Sequence, residues 1–196
     1  MRFSAADLAA ALTDRNLHGR TARLIGPDVT IDGATFDSRE VRPGQLFVPL
    51  VAERDGHDFI PDALAAGASA YLTSRADVIE RCGGSAILVA DTAEALIDAA
   101  GWGRTLFPSS TVVVGITGSV GKTTTKDLVA AALASELAVT ANVRSFNNEQ
   151  GLPVTILNAP LHTRALVLEM GMRGLDRKST RLNSSHVSES RMPSSA

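Results

Sequence analysis

The feature that most constrains this chain is a glycine-rich stretch, Gly115-Ile116-Thr117-Gly118-Ser119-Val120-Gly121-Lys122-Thr123. A β-branched apolar run at residues 111–114 precedes it and predicts a buried strand, and residues 127–137 after it predict a helix. Nucleotide phosphates are bound by this order of strand, glycine loop, Lys-Thr and helix, because glycines let backbone N–H groups turn towards an anion. The stretch therefore predicts a phosphate-binding loop within an α/β domain.

The spacing of the glycines departs from the strict loop pattern, which requires a glycine where this chain has Ile116. A glycine turn that arose by chance is therefore the alternative. In a phosphate loop, Lys122 would bring its charge to the β- and γ-phosphates, and the Thr123 hydroxyl would bind Mg²⁺. The loop alone does not identify the nucleotide.

Composition narrows the class of protein. The 196 residues suffice for one or two domains, and 44% of them are hydrophobic, which predicts a packed core. A net charge of -2 argues against a general nucleic-acid surface, and the single cysteine, Cys82, excludes a disulfide within the chain. Because the sequence has neither a membrane-length apolar run nor a signal-peptide core, we expect a cytoplasmic protein without membrane insertion.

Short strands and helices alternate through the first part of the chain. Pro108-Ser109-Ser110 then interrupts the pattern and predicts a domain boundary, with a first unit over residues 1–108 and a second over 109–175. In the first unit the patterns predict helices at 4–12, 59–66 and 92–106, a short helix or a loop at 76–82, and strands at 29–36, 46–51, 68–73 and 86–90.

In the second unit, the helix after the loop is predicted to pack one apolar face inwards and to leave Lys126 in solvent. A strand at residues 137–140, a helix over 153–157 and a core strand over 165–168 are predicted to follow. The predicted buried face of the helix after the glycine loop consists of Leu128, Val129, Ala132 and Leu133.

Glu169 ends the predicted core strand. A carboxylate at the end of a strand beside a phosphate loop can hold a metal ion, directly or through water. The alternative is a solvated acid at a strand end, and the residues alone leave both interpretations open.

The last stretch, residues 176–196, has seven serines and no helical or strand period, so we expect it to be disordered. A natural flexible tail is one explanation. Residues 177–186 resemble translated sequencing-adapter DNA, and we favour an artefactual tail whose basic residues form no nucleic-acid patch.

Several motifs of this chain occur in a specific order. They are Asp37-Ser38-Arg39 with Pro43-Gly44-Gln45-Leu46-Phe47-Val48, Asp55-Gly56-His57-Asp58-Phe59-Ile60, the glycine loop, Ser145-Phe146-Asn147-Asn148-Glu149 with Gly151-Leu152-Pro153, and Glu169-Met170-Gly171. In this order they resemble the Mur ligase family from residue 29 to residue 175, and that family's loop has the same shortened glycine spacing. The Ser-Phe-Asn-Asn-Glu stretch is most similar to the member that joins D-alanyl-D-alanine to UDP-N-acetylmuramoyl-tripeptide.

The resemblance implies an α/β protein with a small N-terminal domain that binds a uridine nucleotide, followed by the first part of a central ATP-binding ligase domain. It also implies a reaction of peptidoglycan precursor synthesis that uses ATP and Mg²⁺ and passes through an acyl phosphate. The implied partners are UDP-N-acetylmuramoyl-tripeptide and D-Ala-D-Ala, and the full-length protein is expected to be a monomer.

The resemblance assigns residues by position in this sequence. Lys122 would be catalytic, and Thr123 and Glu169 would hold Mg²⁺. The residues that would bind ATP are Gly118, Ser119, Val120, Gly121, Lys122, Thr123 and Thr124.

Four further residues would contact the substrate by this resemblance. Ser38 and Arg39 would lie in the uridine-diphosphate pocket, and Asn147 and Asn148 would face the reaction centre. The alternatives are a surface charge for Arg39 and loop capping by the two asparagine side chains.

Members of the family are more than twice as long as this chain. We therefore expect an inactive fragment of a ligase. The alternatives are a complete, non-catalytic module that binds a nucleotide or UDP-sugar, and another ligase of the superfamily, such as a folylpolyglutamate ligase.

Overall fold

The computed structural model describes residues 1–14, 21–142 and 150–171 of the chain. Its strands are β1 (Arg2–Ser4), β2 (Arg23–Ile25), β3 (Thr30–Asp32), β4 (Ala34–Thr35), β5 (Leu46–Phe47), β6 (Ala70–Thr73), β7 (Ala86–Leu88), β8 (Val112–Ile116), β9 (Val139–Ala141) and β10 (Ala165–Glu169). Its α-helices are α1 (Ala5–Asp14), α2 (Ile60–Ala65), α3 (Ala76–Cys82), α4 (Thr92–Thr105), α5 (Lys122–Ala134) and α6 (Gly151–Asn158), and 3₁₀ turns cover Ser38–Glu40 and Gly56–Phe59.

The strands form two main sheets. The first sheet has the order β2-β7-β6-β5-β4, in which β2 is antiparallel to β7 and the other pairs are parallel. The second sheet has the order β8-β10-β9 and is parallel throughout. Strands β1 and β3 form a separate antiparallel pair. Parallel strands joined by helices confirm the α/β class that the sequence predicts.

Side chains cap the helices where the sequence places short polar residues. The Asp7 N–H donates to Ser4 Oγ at 2.9 Å, which confirms the predicted start of α1. The Asp91 carboxylate accepts from the N–H groups of Ala93 and Glu94 at the start of α4. These caps begin both helices at the expected positions.

The predicted strand over 29–36 is wrong in one respect, because it is divided at Gly33 into β3 and β4, which belong to different sheets. Gly33 has φ +79, a left-handed conformation that breaks the extended backbone. Of the predicted strand over 46–51, only Leu46–Phe47 belongs to the sheet, and Val51 makes an isolated bridge with Asp55.

The prediction of a buried strand before the glycine loop is also wrong. Val112 and Val113 of β8 are 50% and 45% exposed. Strand β8 lies at the edge of the second sheet, where it has a neighbouring strand on one side only. The β-branched composition predicted the strand but not its degree of burial.

One apolar core extends across both sheets. It includes Leu8 of α1, Leu96 of α4, Leu157 of α6 and Leu166 of β10. A smaller cluster around Phe47, Ile60 and Tyr71 packs on the other face of the first sheet.

The Asn158 side chain links α6 to the first sheet. It accepts from the Ala34 N–H at 3.1 Å and donates to the Ala34 carbonyl at 2.7 Å. Helix α6 therefore joins residues on the two sides of the predicted boundary. In the described ranges, no helix is both long and apolar enough to cross a lipid bilayer.

Candidate functional site

The glycine loop connects the end of β8 to the start of α5. Gly121 immediately precedes the helix with φ +79, and Gly118 has φ +148. Residues with a Cβ rarely adopt such conformations, so the turn requires glycine at both positions. Val120 between them is 91% exposed, which places the loop at the surface rather than in the core.

Helix α5 begins at Lys122, five residues earlier than predicted. The N–H groups of Lys122, Thr123 and Thr124 lie in its first turn, where a helix provides no acceptors. The positive end of the helix dipole lies at the same place. The start of α5 is therefore suited to an anion such as a phosphate group.

The Lys122 side chain folds back over the loop. Its Nζ atom donates to the Gly118 carbonyl at 2.7 Å. An ammonium group has three N–H donors, so this contact leaves donors for a bound phosphate. The structure therefore places the predicted catalytic cation above the glycine turn.

The side chains of Thr123 and Glu169 contact each other at the end of β10. Thr123 Oγ1 donates to Glu169 Oε2 at 2.9 Å. Because Glu169 is paired in register with Ile116, the end of β10 lies beside the point where β8 enters the loop. Glu169 is only 4% exposed, so the interpretation of Glu169 as a solvated acid is wrong.

Hydroxyl and carboxylate oxygens are the ligands that Mg²⁺ prefers, and the pair therefore fits such an ion. Within residues 1–14, 21–142 and 150–171, no group of three or more His, Cys, Asp or Glu side chains could hold a metal. A cation between Thr123 and Glu169 would take its other ligands from water and from bound phosphate, as Mg²⁺ commonly does.

The prediction that Lys126 lies in solvent is wrong. It is 5% exposed, and its Nζ atom donates to the Asn142 carbonyl at 2.8 Å. The predicted buried face of α5 is also wrong, since Leu128 is 66% exposed. The position of Lys126, three residues after Thr123, could have indicated that both lie on one face of the helix.

A cleft of about 560 Å³ lies between the first sheet and helix α6. One wall comes from residues within 34–45, and the other comes from residues 140–141 of β9 and residues 154–158 of α6. Its polar lining includes Thr35, Glu40, Arg42, Gln45, Thr140 and Asn158. A cleft of this size with both charges and hydrogen-bonding groups is suited to a polar small molecule.

Two family profiles match the chain. The profile of the Mur ligase family, catalytic domain, matches residues 30–102, and the profile of the Mur ligase middle domain matches residues 116–187. The chain belongs to the Mur ligase family. The predicted boundary at residue 108 falls between the two matched stretches and stays a prediction.

The most similar relatives include UDP-N-acetylmuramoyl-tripeptide--D-alanyl-D-alanine ligases. The protein from Bacillus subtilis is 43% identical over 143 residues, which are 72% of this chain and 31% of the relative. The protein from Escherichia coli is 39% identical over 149 residues, which are 76% of this chain and 32% of the relative. This Mur ligase chain therefore spans about a third of the length of the curated relatives it matches.

Solved structures give the same fold. MurF from Acinetobacter baumannii superimposes with a TM-score of 0.71 at 26% identity, covering 84% of this chain and 35% of that one. MurF from Thermotoga maritima, crystallised in complex with ADP, gives a TM-score of 0.60 at 39% identity, covering 70% of this chain and 31% of that one.

The predicted substrate residues of this Mur ligase chain lie near the cleft or outside the described residues. Ser38 and Arg39 form a 3₁₀ turn between the cleft residues Thr35 and Glu40. The Arg39 side chain is 86% exposed and donates to Asp37 Oδ2 at 2.6 Å, and this bond lowers the pKa of the Asp37 carboxyl. Their substrate role stays a prediction.

Asn147 and Asn148 lie outside the described residues. The tail over 176–196, for which the sequence predicts disorder, also lies outside them.

His57 of the Asp-Gly-His motif is fully buried and makes local hydrogen bonds. Its Nδ1 atom lies 2.6 Å from Asp55 Oδ1, and its Nε2 atom accepts from the Ser74 N–H at 3.2 Å. His57 therefore ties the 3₁₀ turn at Gly56–Phe59 to the end of β6.

Proposed function

We propose that this chain carries the nucleotide loop and part of the substrate cleft of an ATP-dependent ligase that joins D-alanyl-D-alanine to UDP-N-acetylmuramoyl-tripeptide. The observation that carries the proposal is the Thr123–Glu169 contact at the start of α5. The reaction is proposed because the relatives are UDP-N-acetylmuramoyl-tripeptide--D-alanyl-D-alanine ligases. The ADP bound to the Thermotoga maritima MurF supports an adenine nucleotide as the occupant of the loop.

The proposed reaction joins a carboxylate to an amine with loss of phosphate. An oxygen of the tripeptide carboxylate attacks the γ-phosphorus of ATP, ADP leaves, and an acyl phosphate forms. The amine of D-Ala-D-Ala then attacks the acyl carbon, inorganic phosphate leaves, and the new amide nitrogen loses a proton. Both steps bring anions together, so the site must neutralise negative charge.

The residues of this chain would provide that neutralisation in distinct ways. The Lys122 ammonium and the first N–H groups of α5 would bind the phosphate oxygens, as would the backbone from Gly118 to Thr124. Thr123 and Glu169 would hold Mg²⁺, which when bound neutralises phosphate charge. The loop residues thus act by position and charge.

The cleft is the proposed site for the UDP-linked substrate. Ala141 lines the cleft, and the next residue, Asn142, is hydrogen-bonded to Glu169. A substrate in the cleft would therefore lie close to Glu169 and so to the nucleotide loop. Ser38 and Arg39 at its rim, together with Asn147 and Asn148, are the proposed further substrate contacts.

Nucleotide binding tests the proposal directly. We expect the chain to bind the fluorescent analogue mant-ATP with Mg²⁺, and Lys122→Ala to weaken binding by about tenfold or more, since one charge-assisted contact contributes about 1.5–3 kcal/mol. Arg81→Ala, at an exposed position in the last turn of α3, serves as a matched loss of charge. Equal affinities for the wild-type chain and Lys122→Ala would contradict the proposal.

Catalytic turnover by the chain is tested separately from nucleotide binding. Because the chain spans about a third of its relatives, we expect no phosphate release from ATP when both substrates are supplied to these 196 residues alone. Robust release would show that this stretch is sufficient for the reaction. Cytoplasmic location, a monomeric full-length state and the absence of nucleic-acid partners stay predictions.

A further inference from the structure

Two polar residues without a role in the proposed reaction lie beside the Thr123–Glu169 pair. Asn142 is hydrogen-bonded to the Glu169 main chain, and Lys126 is hydrogen-bonded to Asn142. Both are buried, with exposures of 2% for Asn142 and 5% for Lys126. Polar groups are retained in such positions only when their hydrogen bonds are satisfied. Their partners therefore indicate what they hold in place.

Asn142 continues the second sheet with its side chain. Strand β9 pairs with β10 up to Ala141, which lies opposite Val167. One residue further, Asn142 Oδ1 accepts from the Glu169 N–H at 2.8 Å, and Asn142 Nδ2 donates to the Glu169 carbonyl at 3.1 Å. The carboxamide thus takes the place of a peptide group in the ladder.

The main chain around Glu169 is held from the other side as well. The Met170 N–H donates to the Ile116 carbonyl at 2.9 Å, which extends the pairing of β10 with β8. Because Asn142 and Ile116 hydrogen-bond to the main chain on the two sides of β10, the position of the Glu169 backbone is fixed. The direction in which its carboxylate points is therefore fixed as well. Loss of the Asn142 side chain would release one of those sides.

Lys126 fixes the helix to the same place. It follows Thr123 by three residues, so both side chains lie on one face of α5. Its Nζ atom donates to the Asn142 carbonyl at 2.8 Å and lies 3.0 Å from Asp127 Oδ1. Helix α5 therefore contacts the ends of β9 and β10 at two points, Lys126 and Thr123.

We propose that Lys126 and Asn142 are positioning residues that hold Thr123 and Glu169 at the separation a divalent cation requires. The inference rests on the proposed function, in which Thr123 and Glu169 bind Mg²⁺. Partners that orient metal ligands typically change metal affinity by about 10- to 100-fold when they are removed. Neither residue touches the nucleotide in this scheme, so their effect should appear only when the metal is present.

The experiment compares mant-ATP affinity with Mg²⁺ and with EDTA, using the 196-residue chain. In Asn142→Ala and Lys126→Met, we expect the ratio of the two affinities to fall by about tenfold. The affinity in EDTA should stay within about twofold of the wild-type value, because the loop amides and Lys122 are unchanged.

Thr163→Val provides a matched control. Thr163 is buried just before β10, at the opposite end of that strand from Glu169, and its Oγ1 atom lies 2.9 Å from Thr140 Oγ1. We expect this variant to lower the melting temperature without changing the ratio. If Asn142→Ala and Lys126→Met behave like Thr163→Val, the two residues are merely structural and the inference is wrong.

Amide hydrogen exchange keeps the two proposals separable. In Asn142→Ala, the Glu169 amide should exchange at least about tenfold faster, while the Leu168 amide keeps its protection. A wild-type chain that binds no mant-ATP would contradict the proposed function. Unchanged protection of Glu169 in Asn142→Ala would overturn the positioning role whether or not nucleotide binds.

Discussion

The first and second sheets are held in place by different kinds of contact. In the first sheet, Phe47 and Tyr71 are almost completely buried between the strands and the helices that cover them. In the second sheet, β10 is buried, but β8 exposes Val112 and Val113, and Lys126 is the buried residue of α5. Helix α5, which follows the nucleotide loop, thus has no fully buried apolar side chain, and Thr123 and Lys126 join it to the strand ends through hydrogen bonds.

This difference relates stability to function. Burial of apolar area is non-directional and contributes about 25 cal/mol per Å², so it fixes a sheet firmly without specifying the direction of a polar side chain. The Thr123–Glu169 and Lys126–Asn142 contacts are directional and specify where oxygen atoms lie. The first sheet therefore provides a stable support, and the second provides the geometry of the site.

The largest effect should come from truncation in the first sheet. Leu72 of β6 is fully buried, and we expect Leu72→Ala to lower the free energy of unfolding by about 3 kcal/mol through lost burial and a cavity. Leu128→Ala on α5 removes the same atoms from a side chain that is 66% exposed, and we expect a change of less than about 0.5 kcal/mol. Urea denaturation measures both values, and similar losses would remove the contrast between the two regions.

Two glycines, one in each region, have the same φ but different surroundings. Gly33 and Gly121 both have φ +79, but a Cβ at Gly33 would lie 2.1 Å from Asn158 Oδ1, whereas a Cβ at Gly121 would meet nothing within 4 Å. We expect Gly121→Ala to cost about 1–2 kcal/mol from backbone strain alone. Gly33→Ala should cost about 1 kcal/mol more, because it also disturbs the Asn158 hydrogen bonds to Ala34.

Urea denaturation of the two glycine variants measures these costs. Mant-ATP binding should weaken in Gly121→Ala, whose substitution reshapes the loop, and should change less in Gly33→Ala, whose substitution lies beside α6. Equal losses of stability would mean that the contact with Asn158 adds nothing to the strain.

The glycine loop could be predicted from sequence because its signals are local. Gly118 and Gly121 are required by backbone conformation, and Lys122 and Thr123 follow directly in the helix. Glu169 could be placed near the loop because the carboxyl ends of parallel strands meet at one edge of a sheet. These inferences need only the order of strands and loops.

The roles of Lys126 and Asn142 could not be predicted in this way. Lys126 looks like a solvated residue in its helix, and Asn142 looks like the start of a polar loop. Their burial depends on a contact between residues 16 positions apart, which forms only when α5 packs on the end of β9. The contact between Ala34 and Asn158 likewise joins distant residues, since Asn158 lies 124 positions after Ala34 and hydrogen-bonds to it. Local sequence patterns do not indicate partners that are distant along the chain.

A smaller effect tests whether polar contacts also contribute to the first sheet. The Asp55 carboxylate accepts from the His57 backbone N–H, contacts the His57 ring and accepts from Arg75, and these contacts lower its pKa from 3.8 to about 2. Because the folded pKa is the lower one, this stabilisation is complete above about pH 4 and is lost as the pH falls towards 2. Asp55 is partly exposed, so we expect a loss on the order of 1 kcal/mol. Asp55→Asn should flatten the fall in unfolding free energy between pH 4 and pH 2, whereas Asp62→Asn, at an exposed acid of α2, should not. If the two variants show the same pH profile, the contacts of Asp55 add nothing measurable to the stability of the folded chain.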